Sequence, residues 1–246
     1  SRTQLRLERE QIVADDQSQR FDISLRRCAD GEPVQYITGE TEFFGHPIQL
    51  NKTVLIPRPE TERLVEIAVE TVDFVEPSSV LEIGTGSGCI AVSLACTCPG
   101  LNITAVESSA SAIQLARHNS EKNGVKDQIS FCQLDILSDD PKSQYDLIIS
   151  NPPYVPLAEY ALLDETIKYF EPEKALTDGD DGLEFYRRFA KDGRRWLCPE
   201  GMMILEVGRN DHPQKAAVLF RDEDWRQVEL FQDYNGDPRV LTVNQA

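Results

Sequence analysis

Apolar positions change their period along this chain, and the changes divide it into segments. Residues 1–30 are polar and charged, with scattered apolar positions at Leu5, Leu7, Ile12, Val13, Phe21, Ile23 and Leu25, a pattern that suits helix better than strand. So few apolar residues cannot form a core of their own, and this piece must lean on another. Gly31-Glu32-Pro33 punctuates the chain before residues 41–50 and 53–56, which read as a strand pair with Asn51-Lys52 between them. From residue 60, Leu64, Val65, Ile67, Ala68 and Val72 recur at helical spacing, and Pro77 ends the element.

Short apolar runs and helical stretches then alternate. Strands are expected at 80–83, 103–107, 129–132 and 145–149, with helices over 89–95 and 110–123, the second stopped by Gly124. A helix over 183–197 precedes a strand at 202–207. Two late strands, 228–231 and 240–243, have only a short turn at Asn235-Gly236-Asp237 between them, so they must pair antiparallel. The pattern is that of an α/β fold: a mostly parallel sheet of seven strands, covered by helices on both faces and ending in an antiparallel hairpin.

Composition narrows the function classes. A hydrophobic content of 40% over 246 residues suits one large α/β domain, alone or with a small appendage. The net charge of −17 would repel a phosphate backbone, which argues against a broad nucleic-acid footprint and favours a basic protein partner. Cys28, Cys89, Cys96, Cys98, Cys132 and Cys198 form no CxxC pair, and His46, His118 and His212 never fall at ligand spacing from a cysteine. No metal site is expected, and the thiols read as reduced. With no membrane-length apolar stretch and no secretory signal, the reading is a soluble cytoplasmic protein.

The candidate chemistry sits at strand ends. Asn151-Pro152-Pro153-Tyr154 directly follows the apolar run 147–150, and two prolines without N–H groups force the chain out of its strand. An amide side chain is thereby held at the carboxyl edge of the sheet, where open α/β sheets bind ligands. The Asn151 oxygen and the proline carbonyls offer acceptors to a planar NH2 group, and Tyr154 can stack on its face. A plain strand-ending turn is the alternative. Glu82-Ile83-Gly84-Thr85-Gly86-Ser87-Gly88 follows the first parallel strand with GxGxG spacing, neither the dinucleotide fingerprint nor a P-loop. Glu107 closes the next strand, where a carboxylate can accept both hydroxyls of a ribose. Asp135 ends the third, able to accept from an adenine amino group with Ile136 packing on the ring; a helix cap or surface role fits Asp135 equally well.

The ordered set EIGTGSG, Glu107, Asp135 and NPPY resembles the class I S-adenosylmethionine-dependent methyltransferases that act on amide or exocyclic nitrogen. NPPY occurs both in amino-methyltransferases of DNA bases and in glutamine methyltransferases of proteins. The segments GEPVQYITG (31–39), EFFG (42–45), LIPRPETE (55–62) and Phe170-Glu171-Pro172, with the late Asp233-Tyr234 and Arg239-Val240, resemble the HemK/PrmC family of release factor glutamine N5-methyltransferases. The related ribosomal-protein enzyme carries a VPRSP-like version, so IPRPET favours the release-factor branch. The similarity runs from about residue 31 to the end.

The resemblance implies a Rossmann-like domain over residues 59–246, a β-hairpin linker at 39–58, and residues 1–38 as the remnant of a helical substrate-recognition domain. It implies S-adenosylmethionine as cofactor, held by Gly84, Thr85, Gly86, Ser87, Gly88, Glu107, Asp135, Ile136 and Asn151. The glutamine amide of a release factor would meet Asn151, Pro152, Pro153 and Tyr154. Arg58 either shapes the site or makes a structural ion pair. The expected partners are release factors, with no nucleic acid or membrane and the chain a monomer. The competing readings are an adenine N6-methyltransferase and a non-catalytic cofactor-binding module.

Overall fold

The computed structural model describes residues 6–7, 13–75 and 79–244. Leu5, Ile12 and Pro77, used in the pattern above, lie outside them. Helix α1 (Asp15–Ala29) buries no side chain, and Phe21, Ile23 and Leu25 face outward. Charge ties its end to the body: Arg27 Nε donates to Glu32 Oε2 at 2.7 Å, and Lys52 Nζ lies 3.1 Å from the other oxygen. The short helix α2 (Val34–Thr38) follows and stops at Gly39, which takes the left-handed conformation.

The expected strand pair is displaced. The hairpin is β1 (Glu40–Phe43) and β2 (His46–Gln49), so the turn falls at Phe44-Gly45, inside the segment expected to be one strand. Both turn residues have positive φ, 51° and 76°, the backbone that matches hairpin twist. An aromatic residue at the first position hides that signal. Residues 53–56 are not a strand. Asn51 Oδ1 accepts from the Thr53 N–H and hydroxyl, the Val54 carbonyl accepts from the Tyr36 hydroxyl at 2.6 Å, and the Ile56 N–H donates to Glu171. Side chains thus satisfy this backbone in place of a ladder, while Val54 and Ile56 are buried like strand residues.

Helix α3 (Pro59–Val75) begins with proline at its first position, where a missing N–H goes unneeded. Then come β3 (Ser79–Ile83), α4 (Cys89–Thr97), β4 (Asn102–Glu107), α5 (Ala110–Lys122), β5 (Ile129–Gln133) and β6 (Tyr145–Ser150). Two short helices, α6 (Leu157–Tyr160) and α7 (Glu165–Phe170), lead to α8 (Glu184–Asp192). The expected helix over 183–197 ends early. A Cβ at Gly193 would collide with Met203, and the chain turns there into β7 (Leu197–Glu206), which starts before its expected position. Helix α9 (His212–Asp222), not marked in the pattern above, precedes β8 (Gln227–Gln232) and β9 (Pro238–Asn244).

The seven strands run in the order β5-β4-β3-β6-β7-β9-β8. All are parallel except β9, which runs against both neighbours. Helices α3, α4 and α5 cover one face and α8 and α9 the other. The chain winds outward from β3 through β4 to β5, then returns to β6 on the other side of β3. The carboxyl ends of β3 and β6 therefore flank the switch point, where a crevice opens in such sheets. No helix among the described residues is long and apolar enough to cross a membrane.

Candidate active site

The switch point opens into a cavity of about 630 Å³, within the range of roughly 300–1,000 Å³ usual for small-molecule sites. The turn after β3 forms its floor. Gly86 has φ 53° and its N–H donates to Glu107 Oε2 at 3.1 Å. The other carboxylate oxygen accepts from the Ser109 N–H at 2.9 Å. Glu107 is thus aimed by backbone from two elements; Oε1 also accepts from the Ser108 hydroxyl at 3.3 Å, while Oε2 keeps a further lone pair. Gly88 is required for another reason: a Cβ there would stand 3.0 Å from the Ala116 Cβ, so its absence lets α4 pack on α5. Beneath the turn, Glu82 is buried and accepts from the Thr85 hydroxyl at 2.6 Å. Burial, with Glu107 nearby, pushes its carboxyl up to about 8.

The remaining strand ends complete the wall. Asp135 is exposed on it, with Oδ1 accepting from the Leu137 N–H at 3.1 Å, and the neighbouring Ile136 is buried. The Ser150 hydroxyl donates to the Ile83 carbonyl at 2.8 Å and joins β6 to β3 just before the proline run. Asn151 then lines the cavity, its Nδ2 donating to the Thr61 hydroxyl oxygen at 3.1 Å.

The structure brings together Gly84, Thr85, Gly86, Ser87, Glu107, Asp135, Ile136, Asn151, Pro153 and Arg58 around one cavity. Gly88, Pro152 and Tyr154 do not line it. Gly88 is turned into helix packing and Pro152 is buried. Tyr154 points down into the second core, its hydroxyl donating to Glu206 Oε1 at 3.1 Å and its ring edge-on to His212 at 5.9 Å. Its carbonyl packs against Gly182, where any Cβ would clash. Arg58 lines the cavity, and its Nη2 lies 2.6 Å from Glu171 Oε1. Glu171 also takes the Ile56 N–H, so one buried carboxylate locks the segment before α3 to the segment after α7.

Thr61, Lys174 and Phe185 also line the cavity and escaped the residue-by-residue reading. Thr61 was in view only as part of the IPRPET segment, and its position one turn into α3 is the signal that would have found it. Nothing in periodicity marks Lys174 or Phe185. The acidic loop before α8 is a turn: Asp178 accepts from the N–H groups of Asp180, Gly182 and Glu184.

Comparison with known proteins supplies the family. The profile described as PrmC N-terminal domain matches residues 1–39, and that described as Methyltransferase small domain matches residues 63–170. The release factor glutamine methyltransferase of Chlorobaculum tepidum is 37% identical over 250 residues, covering 98% of this chain and 84% of the relative. That of Koribacter versatilis is 38% identical, covering 94% and 81%. Among solved structures, the hMettl16 catalytic domain in complex with MAT2A 3'UTR hairpin 6 superposes with a TM-score of 0.67 at 19% identity, covering 87% of this chain and 81% of that one. The N-terminal domain of human METTL16 in complex with SAH gives 0.57 at 20% identity, covering 82% and 77%. Both likenesses speak for the fold alone. The sequence relatives decide the matter: this chain belongs to the release factor glutamine methyltransferase family.

Proposed function

We propose that this protein transfers a methyl group from S-adenosylmethionine to the side-chain N5 of the glutamine in the Gly-Gly-Gln motif of peptide chain release factors. One observation carries the reading. Asn151 stands at the carboxyl end of β6 with its NH2 held by Thr61, lining the same cavity as a bare glycine turn and a carboxylate aimed by two N–H groups.

The residues present fit the cofactor. A Cβ at Gly84 would meet nothing within 4 Å, so the backbone beside the cavity is open to close approach. Glu107 would accept the ribose hydroxyls, Ile136 would pack on the adenine ring and Asp135 would accept from its amino group. When bound, the cofactor supplies an electrophilic methyl on a positively charged sulfur. The protein supplies alignment, because an amide nitrogen is a weak nucleophile whose lone pair is delocalised. Asn151 Oδ1, on the cavity, would accept one N–H of the glutamine amide, and the Pro152 carbonyl, next to it but behind the lining residues, would accept the other once the substrate reaches it; neither oxygen receives a hydrogen bond from another described residue. These acceptors hold the nitrogen in line and favour the positive charge that builds on it in the transition state. After transfer the nitrogen loses one proton, which passes along the same acceptors to water. Tyr154, anchored by Glu206 and His212, fixes the backbone of the proline run.

The described residues through 38 supply none of the cavity lining, which suits docking of the protein substrate rather than chemistry. A surface of net charge −17 favours a basic face on that partner, which the chain meets as a cytoplasmic monomer. The test is incubation with radiolabelled S-adenosylmethionine and either a purified release factor or DNA. Label on the glutamine of the Gly-Gly-Gln peptide is expected. Label on DNA alone, or on neither, would defeat the proposal.

A further inference from the structure

The amide of Asn151 can face the cavity with its oxygen or its NH2, and only the oxygen serves as an acceptor there. What lies behind it decides which. Asn151 Nδ2 donates to the Thr61 hydroxyl oxygen at 3.1 Å, and the acceptor within reach of the Thr61 hydroxyl hydrogen is the Glu206 carboxyl, whose ionised form that hydroxyl favours. Facing Thr61 is Glu206, the last residue of β7, which is 1% exposed. Its Oε1 accepts from the Tyr154 hydroxyl at 3.1 Å, while Oε2 is buried with no hydrogen-bond partner among the described residues. The Glu206 oxygen left short of a donor thus belongs to the carboxyl that the Thr61 hydroxyl faces, and buried polar groups are rarely left unpaired.

We propose that Thr61 and Glu206 are positioning residues for methyl transfer: the Glu206 carboxylate takes the Thr61 hydroxyl hydrogen, which leaves Thr61 only an acceptor and obliges Asn151 to turn its NH2 inward and Oδ1 toward the cavity. The inference deepens the methyl-transfer reading and rests on it for the role of Oδ1. An ionised carboxylate only accepts, so it polarises the chain in one direction. A protonated Glu206 would carry a donor of its own, feed Thr61, and free Asn151 to reverse.

The surroundings of Glu206 are mixed. The Thr61 and Tyr154 hydroxyls, and after them Arg239 on β9, favour the ionised form, and Glu60, adjacent to Thr61 on α3, opposes it. Tyr186 on α8 and Cys89 on α4 also face it; burial holds both well above their usual range and therefore neutral. Burial is the largest influence on Glu206 and pushes its carboxyl up to about 7. Orientation is accordingly expected to be lost as pH falls through about 7.

The test joins side-chain NMR to kinetics on the full chain. In nitrogen-15-labelled protein, the Asn151 NH2 pair is identified by its loss in Asn151→Ala. It is expected to shift in Thr61→Val, to stay in place in Thr61→Ser, and to titrate through about 7 in the wild type but not in Glu206→Gln. In methyl transfer, Thr61→Val is expected to lower kcat about 100-fold with the KM for S-adenosylmethionine unchanged, and Thr61→Ser to restore it. Thr61→Val added to Asn151→Ala is expected to cost nothing further, because residues acting through one another are non-additive. An NH2 pair unmoved by Thr61→Val, or kinetic losses that multiply in the double variant, would overturn the inference. Should Thr61→Val fail to fold, a flat titration of the pair in the wild type overturns it equally. A wild type that labels no glutamine while its NH2 pair behaves as described would sink the methyl-transfer reading and leave the hydrogen-bond chain standing.

Discussion

Asn151 and Glu107 line one cavity and have separable proposed roles, which makes single substitutions informative. Asn151→Ala removes an acceptor for charge that builds only in the transition state, so turnover should fall about 100-fold or more. Cofactor affinity, read by calorimetry, should hardly change. Glu107→Ala should do the reverse. It removes a carboxylate aimed by the Gly86 and Ser109 N–H groups, and hydrogen bonds to charged groups contribute about 1.5–3 kcal/mol. Calorimetry should show cofactor binding weakened roughly 10- to 100-fold, and an unchanged Kd would refute the role. Both residues were legible because a strand that must end fixes where its last side chain stands, and consecutive strand ends of a parallel sheet share one edge. Tyr154 was legible as a neighbour but not as a direction. Past the second proline no strand period governs which way a side chain points, and the ring turned to Glu206 and His212 instead of the cavity.

Elements follow the same logic, with one glycine as the sharpest case. Gly88 starts α4 with φ 80°, and a Cβ there would lie 3.0 Å from the Ala116 Cβ and 3.1 Å from its Cα. Gly88→Ala therefore meets backbone strain and helix contact together, and should destabilise the fold by about 1–3 kcal/mol. Thermal denaturation measures the loss. Cofactor binding should weaken as well, because α4 carries the end of the glycine turn with it. Strands β3 to β6 were readable within a residue or two from their short apolar runs, whereas β7 starts at Leu197, ahead of the expected 202. The hairpin was not. Residues 53–56 are as apolar and as buried as a strand, yet their backbone is satisfied by Tyr36, Glu171 and Asn51 side chains distant or irregular in sequence. Helix α9 and the early end of α8 were hidden likewise, the latter by a Gly193–Met203 contact that no local pattern reveals.

At the scale of the whole molecule, an excess of negative charge surrounds two buried carboxyl groups that resist ionising, Glu82 and Glu206, which burial pushes up to about 8 and about 7. A carboxyl raised in the folded state binds its proton more tightly there than when unfolded. The stability it contributes is full below the ordinary value of 4.5 and is lost as pH rises through the folded value. Stability should therefore decline from about pH 4.5 to about pH 8. Glu32 works in the opposite sense: Arg27 and Lys52 lower it to about 2, so its contribution is full above 4.5 and is lost as pH falls through 2. Self-repulsion also grows as pH rises, since carboxylates over the whole surface ionise. Salt separates the two causes, because it screens exposed charges and leaves a buried group nearly untouched. Chemical denaturation by urea across this pH range, at low and high salt, is the measurement. In the wild type the decline on the neutral side should persist at high salt. Glu82→Gln keeps an oxygen to accept from the Thr85 hydroxyl but has no proton to lose, so its decline at high salt should be shallower over the same range. A wild-type curve that high salt flattens completely would assign the pH dependence to surface charge and remove the buried carboxyls from the account.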